Sequence, residues 1–119
     1  GALYLQKRPE WKDIQPGRWD TAVGGHVDYG EDILTALRRE VREEIGLTAF
    51  TPCFVARYVF ECARERELVH VYRTVTDTPP QPSAETAGGR FFTADEIAAN
   101  LGKGFFTPNF EQEWARFFG

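Results

Sequence analysis

Three glutamates near the middle of the chain have a spacing that could bind a cation. Glu40, Glu43 and Glu44 belong to the stretch GGHVDYGEDILTALRREVREEIGL, which runs from Gly24 to Leu47. On a helix, at about 100° per residue, their side chains project within an arc of roughly 100°. Carboxylates this close repel one another unless a cation lies among them. Mg²⁺ prefers oxygen ligands of this kind, so the spacing favours a magnesium site for a phosphate-bearing ligand.

A simpler interpretation is a solvated helix whose acids pair with the arginines beside them, Arg38, Arg39 and Arg42. Exposed ion pairs of this kind are common and contribute little to stability. Two features favour the metal site. Glu40 has no basic residue four positions further on, and the glycine turn VGGHVDYG can fold back to bring a backbone carbonyl to the same ion. Both interpretations stay open on these residues alone.

The helix that would carry the glutamates is predicted over residues 32–45. Its apolar residues recur at helical spacing; they are Ile33, Leu34, Leu37, Val41 and Ile45. Gly46 follows the last of them, as is typical of a helix C-terminus. The glutamates border this apolar stripe, so we expect them at the edge of the core.

Strands and shorter helices are predicted on both sides of this helix. The β-rich segments are 3–7, 20–27, 52–63, 67–77 and 90–92. The charged link RERE between the third and fourth predicts an antiparallel hairpin. TADE has the pattern of a capping box, and a final helix begins near Thr107 with Pro108 at its first position. This order indicates an α+β (mixed α/β) fold with a helix on each side of a central mixed sheet.

Composition limits the class of protein. The length fits one domain over 1–119. A net charge of −4 argues against nucleic-acid binding, and no apolar run approaches the ~20 residues of a membrane span. Cys53 and Cys62 belong to one predicted strand and would lie roughly 30 Å apart, too far for a disulfide. Reduced cysteines favour a cytoplasmic location.

The first residues predict that something precedes them. ALYLQKR enters directly as a strand, with nothing before it to pair with, and the sequence contains no Met. We therefore expect an upstream N-terminal segment that this sequence omits.

The central stretch resembles the signature of a known family. Gly25, five residues, Glu31, seven residues and then REVREEIGL match the Nudix box at every constrained position. The order of predicted elements also fits that family's α/β/α sandwich. The resemblance implies hydrolysis of a small-molecule diphosphate, a nucleoside diphosphate linked to another moiety, with Mg²⁺ or Mn²⁺ and by water attack on phosphorus.

The resemblance also implies roles for individual residues. Glu40, Glu43 and Glu44 are similar to the family's metal ligands, and the backbone carbonyl of Gly24 is expected to join them. Glu43 and Glu44 are also candidate catalytic bases, because the base differs between family members.

Three further residues receive roles from the same resemblance. Arg39 and Glu31 correspond to a pair that orients the glutamates. When the base is not a box glutamate it comes from a later loop, which makes Glu85 in PSAETAGG the loop candidate. A solvated loop acid is the alternative for Glu85.

A second resemblance leads to a branch of the same superfamily. LQKR…K…PGRWDTAVGGH…GE resembles isopentenyl-diphosphate isomerases, in which two cations grip the diphosphate, and these match Arg8 and Lys12. The isomerase needs a catalytic cysteine where this chain has Gly24, so hydrolysis is favoured. His26 matches a metal-ligand histidine of the isomerase but has no evident histidine partner, whereas His70 is interpreted as a sheet residue. A non-catalytic nucleotide-binding module is the third interpretation.

Substrate identity stays open at this stage. Markers of ADP-ribose, dinucleoside-polyphosphate and NADH hydrolases are absent downstream of the box. Four aromatic residues could stack on a base, although core packing is their usual role; they are Trp11, Trp19, Tyr29 and Phe54. The C-terminal aromatic residues are interpreted as core packing first and as a homodimer contact second.

Overall fold

The computed structural model describes residues 2–12, 15–25, 30–61, 63, 66–84 and 86–118. By its contacts the chain divides into two compact units. The first comprises Gly1–Thr48 with Pro80–Gly119, and the second is Ala49–Pro79. Every residue in the predicted metal site belongs to the first unit.

The first unit contains three strands and the helices. Its strands are β1 (Ala2–Lys7), β2 (Trp19–Thr21) and β5 (Gly89–Thr93). Its helices are α1 (Ile33–Ile45), α2 (Ala94–Asn100) and α3 (Pro108–Glu113), and α3 continues as a π-helical turn over Trp114–Phe118. The second unit contains β3 (Cys53–Glu61) and β4 (Arg66–Arg73).

The strand β1 is the centre of the first unit's sheet, whose order is β2-β1-β5. Both of its ladders are antiparallel. Successive side chains of a strand point to opposite faces. Leu5 is fully buried among Phe92, Ile97, Phe106 and Phe110, whereas Gln6 reaches Glu44 on α1. The sheet therefore separates α1 from α2 and α3, which confirms the predicted helix on each side.

The parallel component of the predicted mixed sheet is small. In the described part of the chain the ladders are antiparallel, and the parallel pairing is an isolated bridge between Trp19 and Phe106. β2 ends at Thr21, so residues 22–25 of the predicted strand lie beyond it, and residues 26–27 lie outside the described residues. The α+β class is confirmed.

The helix α1 begins one residue later than predicted, at Ile33, and ends at Ile45 as predicted. Asp32 is the N-cap, with its carboxylate accepting from the Thr35 backbone N–H at 2.8 Å. Gly46 ends the helix with φ at +69°, a conformation that favours glycine. Val41 and Ile45 are buried.

One member of the predicted apolar stripe of α1 differs from the expectation. The Leu34 side chain is 48% exposed, and Ala36 is buried in its place. The buried face is therefore rotated slightly from the one that the spacing of large apolar residues predicted.

The loop after the hairpin is fixed to the end of α1. The backbone N–H of Gln81 donates to the Ile45 carbonyl at 2.8 Å, and that of Ser83 donates to the Glu44 carbonyl at 3.0 Å. The last carbonyls of a helix lack partners within the helix, so these bonds both cap α1 and bring residues 81–83 beside Glu44.

The second unit is the predicted antiparallel hairpin. Its pairing runs from Cys53 opposite Arg73 to Glu61 opposite Arg66. His70 lies in β4 opposite Arg57, as a sheet residue. Strand β4 starts at Arg66, inside the RERE segment that was predicted to link the two strands of the hairpin. Cys53 is free and exposed, and Cys62 lies outside the described residues.

The two C-terminal helices follow their capping signals. The Thr93 and Glu96 side chains of TADE complete the predicted capping box, and Pro108 opens α3 after the N-cap Thr107. Phe110 is buried and is followed by Trp114 with ring centroids 6.2 Å apart. Phe110 and Trp114 therefore contribute to the core, as expected, whereas Phe117 and Phe118 are only half-buried. In the described residues no helix is long and apolar enough to cross a membrane.

Candidate metal and active site

A two-point ion pair joins Arg39 on α1 to Glu31, which precedes the helix. Nε and Nη2 of Arg39 each donate to one Glu31 oxygen at 2.9 Å. This two-point pairing fixes the plane of the guanidinium as well as its position. Both side chains are mostly buried, with 24% and 14% of their surface exposed, so the pair is shielded from solvent screening.

The same guanidinium reaches two of the predicted metal ligands. Nη1 of Arg39 donates to Glu40 Oε1 at 2.8 Å and lies 3.5 Å from Glu43 Oε2. Glu40 has no basic residue four positions further on, but Arg39, its neighbour in sequence, pairs with it. Neighbours in sequence do not face each other on a helix, but the long arginine side chain bends back across its own turn. Arg39 thus contacts three acids, Glu31, Glu40 and Glu43.

The Glu44 carboxylate has two unlike oxygens. Oε1 accepts from Gln6 Nε2 at 3.2 Å and, at a long 3.5 Å, from the Gly24 backbone N–H. Oε2 is buried and has no hydrogen-bond partner in the described structure. A buried charged oxygen without a donor is costly, and a cation supplies the missing partner. This orphaned atom fits a metal site.

The electrostatics of Glu44 agree with that assignment. Burial and, after it, the neighbouring Glu40 carboxyl together raise the pKa of the Glu44 carboxyl to about 7, because both disfavour its charged form. The bonds from Gln6 and Gly24 act in the opposite direction. A divalent cation would favour the charged form of both carboxylates.

Two adjacent glycines form the other wall of the site. A Cβ built on Gly25 would overlap the Glu40 carboxyl, whereas one on Gly24 meets no atom within 4 Å. Gly25 is therefore required for the close approach of the backbone to Glu40. Metal coordination by the Gly24 carbonyl stays a prediction.

The three box glutamates do not surround a common point. Within the described residues, no three Asp, Glu, His or Cys side chains form a group that could hold a metal. Glu43 is turned towards Arg39 and its side chain is 52% exposed, while Glu40 and Glu44 are neighbours. Glu40, Glu43 and Glu44 as joint ligands therefore stay a prediction, which requires Glu43 to turn away from Arg39.

The predicted substrate-binding cations lie in the loop between β1 and β2. Arg8 pairs its backbone with Arg18, and its charge opposes the rise that burial causes in the pKa of Asp20. Lys12 Nζ lies 4.8 Å from the centre of the Trp11 ring, and Trp11 is 70% exposed. A role for Arg8 and Lys12 in substrate binding stays a prediction.

Three residues named from the sequence, His26, Tyr29 and Glu85, lie outside the described residues. The residues that flank Glu85 are placed. Ser83 donates to the Glu44 carbonyl and accepts from the Thr86 N–H at 3.3 Å. A role for Glu85 as the base stays a prediction.

Gln6 and Asp20 belong to the surroundings of the site but were missed from the sequence. They lie opposite each other on β1 and β2, and Asp20 Oδ1 accepts from Thr21 N at 2.8 Å and Thr107 Oγ1 at 3.0 Å. Period-two alternation in ALYLQK was available as a signal, since it separates Leu3 and Leu5 from Gln6. The direction in which Gln6 points depends on α1, which lies 38 residues away in sequence.

Comparison with known proteins gives the family. The model of the NUDIX domain matches residues 1–110, so the chain belongs to the Nudix family. The DR0079 structure from Deinococcus radiodurans superimposes with a TM-score of 0.83 and 25% identity, over 100% of this chain and 76% of that one. The MutT protein of Methanosarcina mazei gives 0.79 with 24% identity, over 98% and 83%. These neighbours confirm the Nudix-type fold.

Curated relatives place the chain near the isomerase-like branch. Isopentenyl-diphosphate Delta-isomerase 1 of Photorhabdus laumondii is 30% identical over 95% of this chain and 69% of its own length. The uncharacterized Nudix hydrolase PA4841 of Pseudomonas aeruginosa is 33% identical over 82% and 58%. The chain thus spans 58–69% of the length of these two relatives.

Proposed function

We propose that this chain is a Mg²⁺-dependent hydrolase, with Mn²⁺ as a substitute, that cleaves a diphosphate linkage in a nucleoside diphosphate derivative. The observation that most supports this proposal is the buried Oε2 atom of Glu44, which has no hydrogen-bond partner within the described residues. Glu44 belongs to a complete Nudix box in a chain of the Nudix family. A surface helix whose acids merely pair with arginines would leave no buried carboxylate oxygen unsatisfied.

The acidic residues would hold the metal from one side of α1. Glu40 and Glu44 supply the neighbouring carboxylates, and Glu43 joins them when it turns from Arg39. The Gly24 carbonyl adds a backbone oxygen. When bound, the metal neutralises the charge of the diphosphate and lowers the pKa of the attacking water.

Arg39 and Glu31 orient the metal-binding carboxylates and do not bind the metal themselves. The two-point pairing with Glu31 holds the guanidinium so that Nη1 fixes Glu40. Outer partners of this kind set the direction of metal-binding carboxylates. Loss of Arg39 therefore disturbs the ligands without removing one.

The proposed hydrolysis forms one bond, breaks one bond and transfers one proton. The water oxygen forms a bond to phosphorus, the P–O bond to the leaving phosphate breaks, and the water proton passes to a carboxylate. Glu43, Glu44 and Glu85 are the candidates for this base. Arg8 and Lys12 bind the substrate's phosphate oxygens from the β1–β2 loop.

Isomerisation of an isoprenoid diphosphate is the second candidate function, because a curated relative that is 30% identical carries that name. The absence of a thiol at Gly24 opposes it. Product analysis separates the two, since an isomerase leaves the diphosphate intact. Nucleotide binding without cleavage is the third candidate, and the complete box opposes it.

Cellular context is part of the proposal. The exposed free Cys53 agrees with a cytoplasmic location. The negative net charge disfavours nucleic acid as a partner. The substrate is therefore a small molecule, and a homodimer is compatible with the proposal.

The test is phosphate release from a panel of (d)NTPs, nucleotide sugars, ADP-ribose, dinucleotides and isoprenoid diphosphates. Coupling enzymes report the products, first with Mg²⁺ and then with EDTA. We expect turnover that EDTA abolishes, and a loss on the order of a hundredfold or more in Glu44→Gln. The matched control is Glu61→Gln, which changes an exposed strand residue. Tight binding of a nucleotide with no turnover would overturn hydrolysis in favour of the binding module.

A further inference from the structure

Gln6 occupies a fixed position in the sheet. It lies on the central strand β1, paired with Asp20 on one side and with Gly89 on the other. A residue with strand partners on both sides has little backbone freedom. The position of its Cα is therefore well defined, and from there its side chain extends to Glu44 on α1.

The amide of Gln6 contacts one particular atom of the metal site. Nε2 donates to Glu44 Oε1 at 3.2 Å in partly buried surroundings. The Gly24 N–H approaches the same oxygen at 3.5 Å. The other oxygen, Oε2, is buried and receives no hydrogen bond in the described structure. The donors thus make the two oxygens of one carboxylate chemically different.

The neutral charge of Gln6 matters as much as its hydrogen bond. A lysine or arginine in its place would form an ion pair with Glu44 and oppose a cation at that carboxylate. An amide satisfies one oxygen while leaving the full negative charge for a metal. A methionine of similar size has no N–H donor, so it would leave the Glu44 carboxylate free to rotate.

We propose that Gln6 is a positioning residue, which holds Glu44 Oε1 so that Oε2 is presented to the divalent metal. The inference rests on the proposed function, because it assumes that Glu44 is a metal ligand. Partners that orient a ligand in this way typically change metal affinity by about 10–100-fold.

The experiment is a Mn²⁺ titration of the whole chain followed by electron paramagnetic resonance, without substrate. Gln6→Met is expected to weaken Mn²⁺ binding about 10–100-fold. The matched control is Gln112→Met, the same change at an exposed glutamine of α3, which leaves the affinity unchanged. Equal Mn²⁺ affinity in the wild type and in Gln6→Met would overturn the role of Gln6 but would leave the proposed function standing. Absence of Mn²⁺ binding to the wild type would instead overturn the metal premise of the proposed function.

Gln6→Lys separates positioning from stability. The lysine keeps a donor and can pair with Glu44, so thermal unfolding is expected near the wild-type temperature. Mn²⁺ binding is nevertheless expected to weaken by tenfold or more, because the ammonium competes with the metal. Binding as tight as that of the wild type would show that the Glu44 carboxylate does not hold the metal, and this would overturn the inference.

A double-mutant cycle tests whether Gln6 acts through Glu44. In a Glu44→Gln background, Gln6→Met is expected to change Mn²⁺ affinity by less than about threefold, because the carboxylate that it orients is gone. An undiminished effect in that background would show that Gln6 acts by another route and would contradict the proposal.

Discussion

Arg39 and Glu31 form a two-point ion pair, with Nε and Nη2 of the arginine each 2.9 Å from a carboxylate oxygen. The pair leaves Nη1 directed at Glu40, 2.8 Å away. A residue before the helix thereby determines where a glutamate in the middle of the helix points. The ion pair therefore links Glu31, just before the helix, to the middle of α1.

Replacement of Arg39 by lysine tests that relationship. An ammonium cannot reproduce the fork that meets both Glu31 oxygens and Glu40. We expect a loss of about 2 kcal/mol in the free energy of unfolding, measured with urea, because hydrogen bonds to charged groups are lost from a partly buried site. Arg42→Lys, at an exposed arginine on the same helix, is expected to change it by less than about 0.5 kcal/mol. Equal effects of the two changes would contradict the special role of Arg39.

The sequence predicted the helix and the box well because both depend on local signals. Asp32 and Gly46 mark the ends of α1 through capping alone, and the Nudix spacing identifies Glu31 and Arg39 as a pair. The long-range contacts were not predictable in this way. Gln6 meets Glu44 only after the sheet has formed, and the reach of Arg39 to Glu40 depends on side-chain geometry that residue spacing does not contain. The rotation of the buried face from Leu34 to Ala36 likewise follows from tertiary packing.

The stability of the metal-free protein should depend on pH through Glu44. Burial and, after it, the neighbouring Glu40 raise the pKa of this carboxyl from 4.5 to about 7 in the folded state, so the folded state binds more protons than the unfolded state between those values. Its contribution to stability is therefore present below pH 4.5 and is lost as the pH rises through about 7.

Urea unfolding in EDTA at pH 5.5, 7 and 8.5 measures this dependence. The difference between wild type and Glu44→Gln is the informative quantity, because the glutamine does not titrate. We expect the wild type to lose stability relative to the variant as the pH rises. A constant difference between the two proteins over this range would be inconsistent with a raised pKa at Glu44.

Gly25 should be intolerant of a side chain. The Cβ of Gly25→Ala would overlap the Glu40 carboxyl, and moving that carboxyl aside breaks its hydrogen bond to Arg39, which costs about 1–3 kcal/mol. The same change in a Glu40→Ala background should cost much less, since the overlapping atoms belong to Glu40. Urea unfolding of the four proteins checks this, and an equal cost in both backgrounds would show that the strain lies elsewhere.

Lys12 should contribute to substrate binding rather than to the chemical step. Lys12→Ala is expected to raise KM about 3–10-fold with little change in kcat, because it removes a phosphate contact shared by ground state and transition state. The effect should shrink at high salt, as screening weakens exposed charges. The control is Lys103→Ala, at an exposed lysine. If KM is the same in Lys12→Ala and in the wild type, Lys12 does not bind the substrate.

Hydrolysis in H₂¹⁸O is the most direct test of water attack on phosphorus. The best substrate of the panel is turned over with Mg²⁺, and each product is weighed by mass spectrometry. The proposed reaction places one ¹⁸O atom in one of the two phosphate-containing products and none in the other, and no products form when EDTA replaces Mg²⁺. If neither product contained ¹⁸O, or if the label lay only in a fragment without phosphorus, the proposed hydrolysis would be contradicted.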